Sequence, residues 1–419
     1  MIILFLFMAG CTAGNEDSLS VNAESSRSIK DLHFQGPSAE CSEIKDVLAN
    51  PPEDITKKQQ LIAELSLDAC AIPVNDITVE DVVDSLEGKK IAYKIQDDIL
   101  TVYAKHTADK AITCCSLQPN LTLIGKQGDD FMFAYRFQLN RLESARLEFF
   151  SPDFMSSQDN EKISFIGSEA LPDRAFNNDE LAGQLTTKTF ESSILNEKRK
   201  YSIYVPPGFK SGEEIGLIVL GDGLSLGFLV REWEPLIASG KLGNFVAIGV
   251  MSGERAIIDA DKTYDFDVRN ADYIHDYSKG PKRFDKHLSF VVDELIPSVV
   301  SDLDIKIKPE KTVLMGGSSA GSFALWGVLK RPDMFGVSVG ISPSGPIPDD
   351  ISDQAARRRY FISAGLYEPG FRANAVLYDE ILSMSGAQTD LKTYPDGHSM
   401  DHRAQRMVEV LPVLIPAEK

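Results

Sequence analysis

A chain of 419 residues is too long for one ordinary core and fits two domains with an additional terminal segment. Its 43% hydrophobic and 25% charged residues give the balance of a globular protein. The net charge of −19 repels phosphate backbones, which sets a nucleic-acid partner aside, and otherwise reads as solubility.

The chain opens on a short apolar run, residues 1–8, far too short to span a bilayer. Ala9-Gly10-Cys11 follows. An apolar stretch ending in a small-small-Cys box resembles the lipobox of bacterial lipoproteins, although no Lys or Arg precedes the run. That resemblance implies that residues 1–11 are a lipoprotein signal segment and that Cys11 is lipidated. The membrane is then a partner through an N-terminal anchor. No Asp follows Cys11, which implies the periplasmic side of the outer membrane. Residues 12–30 are polar and rich in Ser, Asn and Glu, the composition of a flexible tether.

Four further cysteines lie in the N-terminal half. In an oxidising compartment Cys41 and Cys70 make the natural pair. Cys114 and Cys115 are adjacent on an expected strand, so their side chains point to opposite faces. No CxxC or His cluster accompanies them, so no metal or other cofactor is expected.

Residues 53–69 have helix-compatible sequence. Segments 90–95, 99–104, 110–116, 121–124, 131–138 and 145–150 read as short strands punctuated by Gly, Asp and Asn. They predict a small β-sandwich over 31–155. A polar stretch, 156–190, reads as a linker. From 191 the texture changes. Tyr201–Val205 alternates and ends at Pro206-Pro207-Gly208. Continuous apolar runs follow at 215–220, 245–250, 312–315, 337–341 and 360–363, the mark of strands buried on both faces of a parallel sheet. Helical segments at 228–239, 284–301, 320–330 and 373–386 alternate with them. The fold predicted for 191–419 is a doubly wound α/β sheet.

The strongest local signal is Met315-Gly316-Gly317-Ser318-Ser319-Ala320-Gly321-Ser322. Gly317, Ser319 and Gly321 make G-x-S-x-G between a strand and an apolar helix, the context of a nucleophile elbow. Ser318 lacks a glycine two residues later, so Ser319 is the expected nucleophile. A serine hydroxyl needs a base. In an α/β-hydrolase the order is serine, acid, histidine. Of six histidines only His398 and His402 follow Ser319. His398 lies in a loop after the strand-like 391–393, where it can be delivered over the elbow, whereas His402 falls at the start of a terminal helix, 400–411. Their H-x-x-x-H spacing lacks the Glu of H-E-x-x-H, so zinc is not expected. The acid should follow the strand 360–363, where Glu368 is the loop's only carboxylate. Asp396 is its rival, close in sequence to His398. The oxyanion hole needs backbone N–H groups from Ala320, after the nucleophile, and from the loop Asp222-Gly223-Leu224.

At this point the ordered motifs resemble the putative esterase family, whose members include enterochelin esterase, esterase D, feruloyl esterases and the antigen 85 mycolyltransferases. The matching pieces are Tyr204–Phe209, Asp222–Leu224, Pro235–Leu242, Arg269–Tyr273, Asp293–Pro297, Gly317–Gly321, Arg331–Gly336, Glu368-Pro369 and Gly397-His398. Together they cover nearly all of 191–415. The resemblance is nearest to enterochelin-esterase-like proteins, which implies an α/β-hydrolase fold preceded by an immunoglobulin-like sandwich. It also implies that Leu224 and Ala320 supply the oxyanion amides, that Glu368 is the acid and that Arg269 contacts substrate. Two departures stand out. Asp272 replaces the usual Glu of R-x-x-E, and Ser-Ser-Ala-Gly replaces the commoner Gln-Ser-x-Gly-Gly.

The leading expectation is hydrolysis of a carboxylic ester, in a small molecule or a glycan, through an acyl-enzyme. A siderophore triester and a feruloyl or acetyl polysaccharide are both open. Acyl transfer, as in the antigen 85 branch, and a catalytically silent binding module are the competing readings.

Overall fold

A computed structural model describes residues 69–417 apart from 112–115, 118–120, 140–141, 153–160, 171–179, 254–255, 258–264, 267, 278–281 and 349. The expected lipobox with Cys11, the expected tether, residues 53–68 of the expected helix, Cys41, Cys114 and Cys115 lie outside the described residues, and residue 69 opens a strand rather than ending a helix. No helix among the described residues is long and apolar enough to cross a membrane.

The chain divides into two units. Unit 1 comprises residues up to Pro172 together with two later segments, Gly365–Ala373 and Thr393–Ser399. It contains β1 (Ala69–Ile72), α1 (Val79–Leu86), β2 (Ile91–Gln96), β3 (Ile99–His106), β4 (Thr122–Gln127), β5 (Asp130–Leu139), β6 (Arg146–Phe150) and β7 (Lys162–Ile166). The first five strands form an antiparallel sheet in the order β1-β5-β3-β2, with β4 also on β5. β6 and β7 form a separate antiparallel pair. Strands β3 and β5 bury Leu100, Val102, Phe133 and Phe137 in the same core as Leu147 and Phe149 of β6. α1 starts at a capping box: Thr78 Oγ1 accepts from Asp81 N at 3.2 Å and Asp81 Oδ2 accepts from Thr78 N at 2.8 Å.

Unit 2 holds an eight-stranded mixed sheet in the order β17-β16-β15-β14-β10-β11-β9-β8. Its elements are β8 (Gln184–Ser192), β9 (Glu197–Val205), β10 (Gly216–Gly221), α2 (Leu226–Ala238), β11 (Phe245–Val250), the short pair β12 (Ala256–Ile257) and β13 (Asp265–Phe266), and α3 (Val268–Tyr273). Then come α4 (Phe284–Ser289), a π-helical stretch Phe290–Leu295, α5 (Ile296–Leu303), β14 (Thr312–Gly317), α6 (Ser319–Lys330), β15 (Val337–Ile341) and β16 (Arg359–Gly365). The chain ends with α7 (Pro369–Met384), β17 (Gln388–Tyr394) and α8 (Met400–Leu414). β11, β10, β14, β15 and β16 run parallel, and β9 and β8 close one edge antiparallel. The apolar runs of β10, β11, β14 and β15 are buried along their whole length, as strands covered on both faces must be. Trp233 of α2 is fully buried edge-on against Phe245, with ring centroids 5.5 Å apart.

The stretch 156–190, expected as a linker, instead supplies β7 and most of β8. Both strands are largely exposed. β8 is an edge strand with polar residues along its open side, and β7 alternates exposed and half-buried positions, so neither carries the apolar run that marks an interior strand.

β10 is hydrogen-bonded to β11 on one side and to β14 on the other, so the connections leaving β10 and β14 diverge. A crevice opens at the carboxyl ends of parallel strands where the order reverses in this way. Asp222–Leu224 follow β10 and Ser318 follows β14, so both stand at that point.

Candidate functional site

The turn from β14 to α6 carries its strain at Ser318. That residue has φ 60° and ψ −130°, a conformation disfavoured for any residue with a Cβ. Ser319 is already the first residue of α6. The turn is closed by Ser318 N donating to Ile341 O at 2.8 Å and Gly321 N donating to Ser318 O at 2.8 Å. A nucleophile elbow places its serine at the strained position, between strand end and helix start. The backbone therefore singles out Ser318, where the sequence pattern singled out Ser319.

The spatial requirements agree. A Cβ at Gly316, two residues before Ser318, would overlap the backbone of Ala320. The position two residues after Ser318 is Ala320, whose methyl group is accommodated because the neighbouring strand offers Gly221, where a Cβ would come within 2.8 Å of it. The motif as folded is G-x-S-x-A, with its second small residue matched by a glycine on β10. The amide that follows the strained residue is then that of Ser319, not Ala320.

Ser319 has a different environment. Its hydroxyl donates to Asn270 Oδ1 at 2.6 Å and accepts from Arg269 Nη1 at 3.0 Å. Both partners come from α3, whose six residues are all buried. Arg269, expected to contact substrate, is only 5% exposed and turns inward. Its guanidinium grips Asp222 with two bonds, Nε to Oδ1 at 2.8 Å and Nη2 to Oδ2 at 2.6 Å, the bidentate geometry that favours Arg. Tyr273 Oη accepts from Asp222 N at 3.0 Å and donates to Val250 O at 3.0 Å. Thus α3 fixes the loop after β10 through the side chain and the backbone of Asp222, and it reaches the start of α6 through Ser319. Leu224, the expected oxyanion residue of that loop, lies in the single 3-10 turn Gly223–Ser225 with its side chain 51% exposed.

α3 is held in turn by Asp272. Its carboxylate accepts from Arg199 Nη1 at 2.8 Å, Arg283 Nε at 2.8 Å and Gly253 N at 2.9 Å. Burial alone would raise its pKa, but His287, Arg199 and Arg283 hold it below the usual carboxylate value. The same burial pushes His287 down to about 4. Removing one partner of a buried ion pair leaves the other charge uncompensated, at a cost of about 3–5 kcal/mol. Arg269→Met, which strands Asp222, is expected to lower unfolding stability by that amount in urea denaturation. An unchanged midpoint would show that the pair holds nothing together.

In unit 1, Glu368 and His398 are brought together. The Glu368 carboxylate is hydrogen-bonded through Oε2 to His398 Nδ1, and its Oε1 accepts from Gly365 N. Phe371 stacks on the imidazole, with centroids 4.1 Å apart and planes 12° from parallel. A carboxylate on Nδ1 fixes the tautomer and assigns proton transfer to Nε2. Asp396, the rival acid, bonds elsewhere: Ser399 Oγ donates to its Oδ2 at 2.6 Å. His402 belongs to α8.

Burial pushes the Asp396 carboxyl up to about 8, against the opposing effects of the Ser399 bond and the Arg146 charge. The folded protein then holds a proton that the unfolded chain releases near 3.8. Stability from this group is complete below that lower value and is lost as pH rises through the upper one, by up to about 1.4 kcal/mol per pH unit. Asp396→Asn is expected to remove this slope, so that the variant gains on the wild type between pH 5 and pH 8 in denaturant titrations. Parallel curves would contradict it.

Residues 192–416, more than half of the chain, match the family model described as "Putative esterase". No curated protein matches. Among solved structures, the ferric enterobactin esterase of Salmonella typhimurium is 14% identical, with a TM-score of 0.52 over 78% of this chain and 97% of its own. The enterobactin esterase of Shigella flexneri, in the presence of enterobactin, is 16% identical, with a TM-score of 0.51 over 78% of this chain and 96% of its own. A ferulic acid esterase from Anaeromyces mucronatus, in complex with ferulic acid, is 14% identical, with a TM-score of 0.44 over 58% of this chain and 95% of its own. At such identities the enterobactin esterases share a fold with this chain.

Proposed function

The chain belongs to the putative esterase family, and from that premise we propose that it is a serine carboxylic-ester hydrolase acting through an acyl-enzyme, with Ser318 as nucleophile, His398 as general base and Glu368 as the acid that orients it. The protein is an enzyme of the ester-hydrolase class. The observation that carries the residue assignment is the strained backbone of Ser318 at the end of β14. The carboxylate–imidazole pair of Glu368 and His398 supports it independently.

The chemistry follows from these groups. Ser318 Oγ bonds to the ester carbonyl carbon while its proton passes to His398 Nε2. The carbonyl oxygen becomes an oxyanion, for which the Ser319 and Leu224 amides are the proposed donors. The C–O bond to the alcohol breaks and the imidazolium returns the proton to the leaving oxygen. Water, deprotonated by the same imidazole, cleaves the acyl-enzyme, releasing the carboxylic acid and restoring Ser318.

An enterochelin-esterase-like substrate, a siderophore ester, is the finer reading. The likeness to the enterobactin esterases covers more of the chain than the family match alone, and so includes residues of unit 1. On this reading the sheets of unit 1 are an immunoglobulin-like sandwich, and the lipobox Cys11 anchors the enzyme at the periplasmic face of the outer membrane. One preparation assayed against a siderophore triester, a feruloyl ester and an acetylated glycan tests the substrate, with hydrolysis of the first expected to be fastest. A preference for either of the others would replace it. With an added alcohol acceptor the expected product is free acid alone, and a new ester would assign acyl transfer instead.

A further inference from the structure

The two segments of the chain's C-terminal half that belong to unit 1 are those carrying Glu368 and His398. Each is tied to the N-terminal strands. Arg146, which opens β6, pairs as a parallel bridge with Asp396. Its N–H donates to Pro395 O at 3.0 Å, and Gly397 N donates to Arg146 O at 3.1 Å. The residue before the imidazole is therefore hydrogen-bonded to the N-terminal sheet pair. Leu117 N donates to Tyr367 O at 2.6 Å, directly before the acid. Leu366 and Tyr367 are buried in the same apolar cluster as Leu100, Val102 and Phe137. The two segments are also tied to each other, through Leu366 N to Tyr394 O at 2.7 Å and Tyr367 N to Asp396 O at 3.0 Å.

We infer that the N-terminal β-strands are a working part of the hydrolytic machinery, positioning the Glu368–His398 pair through Arg146 and Ser116, rather than an appended module. Ser116 is the side chain on which this turns. It is fully buried and fixed to β6 by Ser116 N to Glu148 O at 3.2 Å and Glu148 N to Ser116 Oγ at 3.0 Å. A Cβ placed on Gly397 would overlap its hydroxyl and reach its Cβ at 2.8 Å. Only glycine at 397 lets the histidine segment close on the N-terminal sheet pair. A displacement of about 1 Å at a reacting group costs on the order of 100-fold in rate. Neither Ser116 nor Arg146 is a catalytic residue: each acts through the backbone that carries the imidazole.

The inference rests on the esterase reading, and a size swap across this contact tests it separately. Gly397→Ala in the full chain is expected to lower kcat for a p-nitrophenyl ester about 100-fold with KM within about threefold. Adding Ser116→Gly, which removes both overlapping atoms, is expected to restore at least about tenfold of that loss. Where Gly397→Ala does not fold, judged by circular dichroism and thermal melting, Ser116→Thr presses from the sheet side with one methyl group. It is then expected to lower kcat several-fold. A folded Gly397→Ala or Ser116→Thr protein with wild-type kcat overturns the inference. So does a change confined to KM, which would make the contact a binding feature, or a loss that Ser116→Gly does not recover. A wild-type protein that hydrolyses no ester would instead overturn the esterase reading itself.

Discussion

Ser318→Ala is expected to abolish ester hydrolysis, lowering kcat by on the order of 10⁵-fold or more, while Ser319→Ala stays within about tenfold of wild type. The two serines are neighbours with the same side chain, so size and composition cannot account for so large a contrast. Backbone conformation can. Ser318 holds φ 60° and ψ −130° between a strand end and a helix start, and such strain persists only where the surroundings enforce it. Here Gly316 and Gly221 make the space, and the bonds from Ser318 N and Gly321 N close the turn. Ser319 instead gives its proton to Asn270 and accepts from Arg269. Its role is to tie α3 to the start of α6, and the small loss expected from its removal reflects a looser helix start. Steady-state kinetics on a short-chain p-nitrophenyl ester reads both variants. Equal losses, or the reverse order, would return the assignment to Ser319.

The second large effect is at the pair in unit 1. His398→Ala is expected to match Ser318→Ala, because nucleophile and base act as a unit, and the double variant should lose little more than either single one. Glu368→Gln keeps the shape but changes what Nδ1 meets. A carboxylate accepts from Nδ1–H, whereas an amide can donate to Nδ1 and favour the other tautomer, which leaves Nε2 unable to accept the serine proton. A loss of about 10⁴-fold in kcat is expected, with KM little changed. Asp396→Asn, by contrast, should alter the pH dependence of stability far more than kcat, because its carboxyl meets Ser399 rather than the imidazole. If Asp396→Asn cost the larger factor, the acid would have to be reassigned.

Much of this was legible in the residues. The interior strands announced themselves as unbroken apolar runs, and the helices between them made the α/β order plain. Glu368 and His398 could be found because each is the chemically apt residue of a loop leaving a strand. The choice between Ser318 and Ser319 was not legible, because counting glycines measures composition while the fold tests space. Ala320 fits where a glycine is customary because Gly221, about a hundred residues earlier, yields room. Arg269 was marked only by the family resemblance, and its pairing with Asp222, 47 residues earlier, is spelled by no local pattern. Strands β7 and β8 hid in polar sequence because edge strands need only one covered face. α1 hid because it is only eight residues long, though Thr78 and Asp81 spell its start.

The most direct test is to label the protein with a fluorophosphonate, digest it and locate the adduct by fragmentation of the peptide that spans Gly316 to Ser322. A single phosphonyl group on Ser318 is the predicted result, lost on prior inactivation of His398 by substitution. An adduct on Ser319, or none anywhere in a folded and intact chain, would contradict it.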